Sequence, residues 1–374
     1  MPYDDRKKLI QAIEGLRDDR TLVSLCNFDR ASNPELPGLA TMLTADLKES
    51  LYRILKESPT EKGVDIFLYT RGGDTNSVWP IARLLQDFDK NFEVLVPFRA
   101  HSAGTMLALG ANKIVMTRLG ELSPIDATTG NQFNPLDPAR KGKRLGISVE
   151  DVRAYQDFLA DAFGLNREGA SEDADIGQRR ALLPPFIQRL VDTTHPLALG
   201  NVHRVHQLIS RLAKKLLQFH STPGQDLDAV VRALTVEAFS HQHMIGAEEA
   251  IEALGSGLVE KASEDLESKL DELLKRYEDD FHLRTPLFGP RFMGTSASEK
   301  DFRFIGGAIE SRHWGYLFET KGKIIQHSKL PPGVNVQIQP GQPMPLVPGL
   351  PREYSLEVHE QRWHRNTQPE GVTI

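Results

Sequence analysis

RAHSAGTMLALGA, residues Arg99 to Ala111, follows the apolar run Phe92–Pro97 and decides how this chain is read. A strand-like segment stops, places one serine, and continues at once as Ala-Gly-Thr-Met-Leu-Ala-Leu. A strand that breaks into a helix at a small-residue turn sets the turn residue on a sharp corner. That residue lies at the positive end of the helix, beside backbone N–H groups that have no intrahelical acceptor. Serine there is either an ordinary N-cap or a nucleophile. The surrounding chain has to separate the two.

Working outward, the flanking elements alternate in the α/β manner. Thr21–Asn27, Val64–Thr70, Phe92–Pro97 and Lys113–Met116 read as strands. Thr44–Lys56, Asn76–Phe88 and Ser102–Gly110 read as helices, with Pro80 expected in the first turn of its helix. Such β-α units imply a parallel sheet with right-handed crossovers. Asp126–Gly146 is rich in Gly, Pro and polar residues and reads as a long functional or mobile loop. Ser148–Asp151 resembles a capping box opening a helix through Phe163. From Arg179 to Leu217 the pattern is helical, interrupted at Pro184-Pro185 and His195-Pro196, and helices follow at Gly246–Leu254 and Glu260–Tyr277. Beyond Pro286, Phe302–Gln326 suggests strands turning at Lys321-Gly322, and Pro331–Pro351 suggests extended, polyproline-like chain. The expected organisation is a domain over 1–285 and an appended β-rich region with a Pro-rich tail over 286–374.

Bulk composition narrows the function classes. The 374 residues are 40% apolar and 26% charged, with a formal net charge of −6. That balance permits a sizeable core and argues against a dedicated nucleic-acid binder, the densest basic cluster being Arg140–Arg144. The single cysteine, Cys26, excludes an internal disulfide and fits a reducing, cytoplasmic compartment. The N-terminal stretch reads as a charged amphipathic helix rather than a signal peptide, and no run of apolar residues is long enough for a transmembrane segment.

Two small-residue corners fall at the C-terminal ends of adjacent strands, Arg71-Gly72-Gly73-Asp74 and His101-Ser102-Ala103-Gly104. Ligands gather at that edge of open parallel sheets. The N–H groups near Gly72 or Gly73, with that of Ala103, are candidates to face one point beside the Ser102 hydroxyl, as an oxyanion hole does.

The stretches TRGGD and VLVPFRAHSAGTMLALGANKIVMTRLGELSPID resemble the core of the Clp/crotonase superfamily, and more narrowly the serine dehydrogenase proteinase family, a relative of signal peptide peptidase A. The helix and strand of His241–Ala250 and Leu254–Val259 extend the likeness, which covers about Arg20 to Lys261. The resemblance implies an α/β spiral of β-α units with a helical segment. It also implies a serine peptidase with Ser102 as nucleophile and Gly72, Gly73 and Ala103 as oxyanion donors. It further implies a peptide or protein substrate and homo-oligomerisation, with no cofactor. Where the Clp subunit places a histidine, this chain has Pro124-Ile125-Asp126. Signal peptide peptidase A uses a lysine from another segment, and Lys143 or Lys141 stands in the matching loop. Such a base must lose its proton, which demands burial or neighbouring cations. Asp126 is a candidate to orient the base or to cap its turn.

The remaining polar residues read more simply. His101 is expected to pack, because neighbours on a strand point to opposite faces. His241 and His243 lack a third ligand at motif spacing, and His203 and His206 lack the glutamate of a zinc helix, so no metal site is expected. No G-x-G-x-x-G opens a helix after a strand, which removes the nucleotide-dependent oxidoreductase reading. Two rivals share the fold: a catalytically silent scaffold or peptide-binding oligomer, and a crotonase-type enzyme acting on an acyl thioester.

Overall fold

The computed structural model describes residues 2–30, 39, 41–125, 130–138, 142–165, 176–221, 226–235, 243–285, 292–294, 298–329 and 346–366. By its internal contacts the chain forms two compact units, Met1–Leu122 with Gly246–Ile374, and Ser123–Ile245. The boundary expected at 285/286 falls inside the first of these.

The first unit is built on an eight-stranded sheet. Strands β1 (Thr21–Asn27), β2 (Val64–Tyr69), β3 (Glu93–Val96), β5 (Lys113–Met116) and β7 (Val259–Lys261) are parallel neighbours in that order. β1 and β2 are buried along their whole length, which explains why their sequences read as nearly unbroken apolar runs rather than alternating ones. The crossovers are helices with apolar faces. α2 (Leu47–Lys56) buries Leu47, Leu51, Ile54 and Leu55, and α3 (Thr75–Phe88) buries Val78, Ile81, Ala82 and Leu85. Pro80 is the sixth residue of α3, past the first turn where it was expected. Because Asp74 caps the helix, α3 begins at Thr75 and carries the proline inside, at the cost of one backbone hydrogen bond.

On the other side of β1 the sheet turns antiparallel. β8 (Glu299–Glu310) pairs with β1, β9 (Gly315–Ser328) with β8, and β10 (Arg352–Arg365) with β9. The β-rich C-terminal region is thus present as a meander continuing the main sheet. Its turn is at Ser311–Trp314, where the Ser311 N–H donates to the Trp314 carbonyl. Lys321-Gly322, expected as a turn, lies within β9. Gly322 is needed there for close approach, since a Cβ would come within 2.0 Å of the Glu357 carbonyl oxygen. The polyproline expectation falls largely on residues outside the described ones.

α1 (Pro2–Leu16) and α11 (Glu264–Asp280) pack together over one face of the sheet. Ile10, Ile13, Phe28, Phe67, Leu270, Leu273, Tyr277 and Phe281 form the buried core there. α10 (Ala247–Leu254) precedes β7 and packs on it.

The second unit is helical among its described residues. α5 (Val149–Ala162) opens with the expected capping box, Ser148 and Asp151 each bonding the other's backbone N–H. α6 (Ile176–Arg180), α7 (Pro184–Thr193), α8 (Pro196–Leu217) and α9 (Leu227–Thr235) follow, broken at the two proline sites read from the sequence. α8 packs against α5 and α9, burying Val202, Ile209, Ala213 and Leu216. Ahead of α5, residues 135–137 are tied to 143–145 by Asp137 N–H to the Lys143 carbonyl, 2.8 Å, and Leu145 N–H to the Pro135 carbonyl, 2.9 Å. The Asn134 amide, fully buried, donates to the Leu145 carbonyl at 2.8 Å.

Candidate active site

β2 does not simply end at Tyr69. Thr70 pairs with Ala100 of β4 (Arg99–Ala100), its N–H donating to the Arg99 carbonyl at 2.8 Å while its own carbonyl accepts from His101 N–H at 3.0 Å. β4 in turn pairs with β6 (Glu121–Leu122). These two-residue strands bring the two corners together. They were not read from the sequence, because two residues carry no period.

Gly72 packs against the serine corner. It has φ +108°, and a Cβ on it would stand 2.9 Å from both the His101 carbonyl oxygen and Ser102 Cβ. A side chain there would push the corners apart. Its N–H donates to Thr70 Oγ1 at 3.0 Å. Gly73 is held from the other side by Leu43, whose N–H donates to the Gly72 carbonyl (2.9 Å) and whose carbonyl accepts from Asp74 N–H (2.8 Å). In such a parallel bridge the Gly73 N–H points away from Leu43. It finds no acceptor among the described residues, and neither does the N–H of Ala103, first residue of α4 (Ala103–Ala108).

Ser102 stands at the N-cap position of α4 with φ 50° and ψ −110°, and its side chain makes no capping hydrogen bond. A β-region backbone with the hydroxyl bonded into the first turn would be the ordinary N-cap. This serine has neither. Positive φ at a non-glycine residue is strained, and such strain concentrates at functional positions. α4 is rooted by Thr105, whose hydroxyl donates to the Ala100 carbonyl at 2.7 Å, and by Gly104, which leaves room for the Thr70 methyl.

His101 is mostly buried, with Nε2 3.3 Å from Glu121 Oε2. Arg71 and Arg99 both face Asp29, at 2.8 and 3.6 Å, and Tyr69 donates its hydroxyl to the same carboxylate at 3.2 Å. Burial, with Asp29 second, pushes the Tyr69 phenol well up, so it stays a neutral donor. Thr70, Glu121 and Leu43 are therefore the parts of the corner that sequence reading missed. Thr70 had a signal, since it stands directly before the Arg71-Gly72-Gly73 corner; Leu43 had none.

Lys143 belongs to the second unit and is exposed. Lys141, Asp126 and His241 lie outside the described residues. His243 is exposed, and His206 Nε2 lies 3.1 Å from an Arg153 nitrogen. Among the described residues no three His, Cys, Asp or Glu side chains are grouped to hold a metal ion.

A parallel sheet crossed by helices, with a serine at a helix N-terminus packed against a Gly-Gly corner, is the Clp-like α/β architecture expected from the motifs, with an extended β-rich edge. Residues 3–137 match the model of the family described as ClpP-like SDH-type serine proteinase, and over that segment the likeness read from the motifs is shown. Two uncharacterized proteins of Methanocaldococcus jannaschii are similar. MJ0137 is 33% identical over 130 residues, 35% of this chain and 45% of that protein. MJ1495 is 25% identical over 146 residues, 39% of this chain and 49% of that protein. The matches thus span about half the length of these curated relatives. Among solved structures, the 1510-N membrane-bound stomatin-specific protease is similar in two variant forms, one in complex with a substrate peptide. Each has 14% identity and a TM-score of 0.35, covering 63% and 61% of this chain and 79% and 75% of those chains. No helix among the described residues is long and apolar enough to cross a membrane.

Proposed function

We propose that this protein is a serine peptidase that cleaves peptide bonds through an acyl-enzyme on Ser102. The observation that carries the reading is the Ser102 corner itself: a strained, non-capping serine held against Gly72, at the first turn of a helix and beside two N–H groups that find no acceptor among the described residues. Ser102 Oγ attacks the scissile carbonyl while a lysine, Lys143 or Lys141, takes its proton. The carbonyl oxygen becomes an oxyanion stabilised by the N–H groups of Gly73 and Ala103. Gly72, whose N–H is engaged by Thr70, contributes mainly by its lack of a side chain. Collapse breaks the C–N bond, the lysine ammonium protonates the leaving amine, and water then hydrolyses the ester. An exposed lysine becomes an effective base only when it is desolvated. Substrate or a second copy of the chain has to cover Lys143 for it to act, which makes homo-oligomerisation part of the proposal.

The test is intact-mass analysis after exposure to a fluorophosphonate probe. One adduct on the wild type and none on Ser102→Ala is the expected result, with Lys143→Ala or Lys141→Ala slowing adduct formation at least tenfold. An unlabelled wild type across a broad pH range would sink the nucleophile assignment and favour the silent-scaffold reading. Equal labelling of both lysine variants would leave Ser102 standing and remove the lysines.

A further inference from the structure

The helical unit leaves apolar side chains in the open. α7 has an apolar stripe, Phe186, Ile187, Leu190 and Val191, at positions that share one side of a helix, yet none of its residues is buried. Leu182, Phe186, Ile187 and Leu197 are between 42% and 56% exposed. Phe186 meets Phe163 edge-on at 5.4 Å and Leu190 and Val191 are half-buried, but an amphipathic helix with no fully buried residue calls for a partner where scattered exposed leucines would not.

The same stretch is cationic. Between Ile176 and Leu217 stand seven arginines and lysines against one acid, Asp192, in a chain whose formal net charge is −6. Arg180, Arg189, Arg204 and Arg211 are exposed. Arg204, held by a 2.7 Å hydrogen bond to Asn201 Oδ1, lines a cavity of about 620 Å³ together with Phe133 and Leu197. The acids of this unit are concentrated earlier in the chain, on α5 and in the 168–175 sequence.

Whatever covers this surface has to accept both cations and aliphatic side chains. A second copy related by a two-fold axis would set the patch against itself, cation facing cation. Nucleic acid would take the arginines but has little use for Leu182, Ile187 and Leu197. A bilayer with anionic headgroups takes both, because an interfacial helix sinks its apolar side among acyl chains while its basic residues stay at the phosphates. We propose that α6, α7 and the first half of α8 form a peripheral docking surface for an anionic lipid bilayer. Nothing in this depends on Ser102 being a nucleophile.

The full-length protein is sedimented with phosphatidylcholine vesicles, with and without phosphatidylglycerol, at low and high salt. Wild type is expected to pellet with the anionic vesicles at least tenfold more than with neutral ones, and to be released by salt. Arg180→Gln with Arg189→Gln should lose that preference. Phe186→Ser with Ile187→Ser should lose binding already at low salt. All these residues are exposed, so unfolding temperatures should stay at the wild-type value, and the arginine pair decides the matter if the apolar pair misfolds. Failure to pellet with anionic vesicles, or equal pelleting with neutral ones, overturns the proposal. So does a lipid-free oligomer that the Phe186→Ser, Ile187→Ser variant takes apart while vesicles are ignored, since a second copy would then own the face.

Discussion

Ser102 holds a backbone conformation, φ 50° and ψ −110°, that glycine adopts freely and serine does not. Strain of this kind costs of order 1–3 kcal/mol and persists only where the surroundings over-determine it. Here the surroundings are Gly72 pressed against the corner and Thr105 anchoring the helix behind it. Ser102→Gly should therefore stabilise the fold by about 1 kcal/mol, the relief of strain being partly offset by the greater freedom of glycine in the unfolded chain. Urea unfolding measures this. A loss of stability instead would mean that the hydroxyl holds the corner together and that its conformation is structural. Cys26, the one thiol, is wholly buried, and burial with Glu310 nearby pushes it well up, so it stays silent towards alkylating reagents in the folded protein.

At the scale of elements, α3 carries the Gly-Gly corner into the crossover, and Asp74 starts it. The Asp74 carboxylate accepts from Asn76 N–H at 3.0 Å, from the Asn76 side chain at 2.9 Å and from the Ser77 hydroxyl at 3.1 Å. Partial burial works against the charge, but these donors outweigh it and hold the carboxyl below its ordinary 3.8. The folded value being the lower one, the cap stabilises fully above pH 3.8 and is lost as the pH falls through the folded value. Asp74→Ala should cost about 1 kcal/mol at neutral pH, as helix caps do. The deficit should shrink on acidification below 3.8, a trend that thermal unfolding across a pH series reads directly. A deficit independent of pH would assign the cost to the loop and not to the carboxylate.

At the scale of the molecule, distant parts of the chain meet at one buried guanidinium. Arg6 of α1 is fully buried and forks onto Glu310 of β8, both contacts at 2.9 Å, while also pairing with Asp280 at the end of α11. The Tyr277 hydroxyl donates to Glu310 at 2.8 Å, and Arg6 stacks 5.2 Å from that ring. Desolvation raises the Asp280 carboxyl even with Arg6 and Arg276 beside it. Removing one partner of such a pair strands a buried charge and costs about 3–5 kcal/mol. Arg6→Met should lose about that much in chemical denaturation. The double variant Arg6→Met, Glu310→Leu should recover part of the loss, since the pair's charges leave together and Asp280 keeps Arg276, while the Tyr277 hydroxyl loses its acceptor. Without that recovery, Arg6 stabilises through its packing on Tyr277 and Phe281.

The sequence by itself determined the order of the β-α units, the capped helix at Ser148, the helix breaks at Pro184-Pro185 and His195-Pro196, and the two small-residue corners. Those features are written in local periods, turn residues and caps, which act over a few positions of chain. It misplaced Pro80 and the turn at Lys321-Gly322 because a proline's tolerance and a glycine's purpose depend on what lies opposite; for Gly322 that is the Glu357 carbonyl of β10. Only the tertiary structure decided that the C-terminal strands pair with β1, that Thr70 and β4 clamp the two corners together, and that Leu43 turns the Gly73 N–H outward. Each of these is a backbone hydrogen bond between residues far apart in sequence. Such bonds are directed by N–H and C=O groups that every residue carries, so no side-chain pattern announces them.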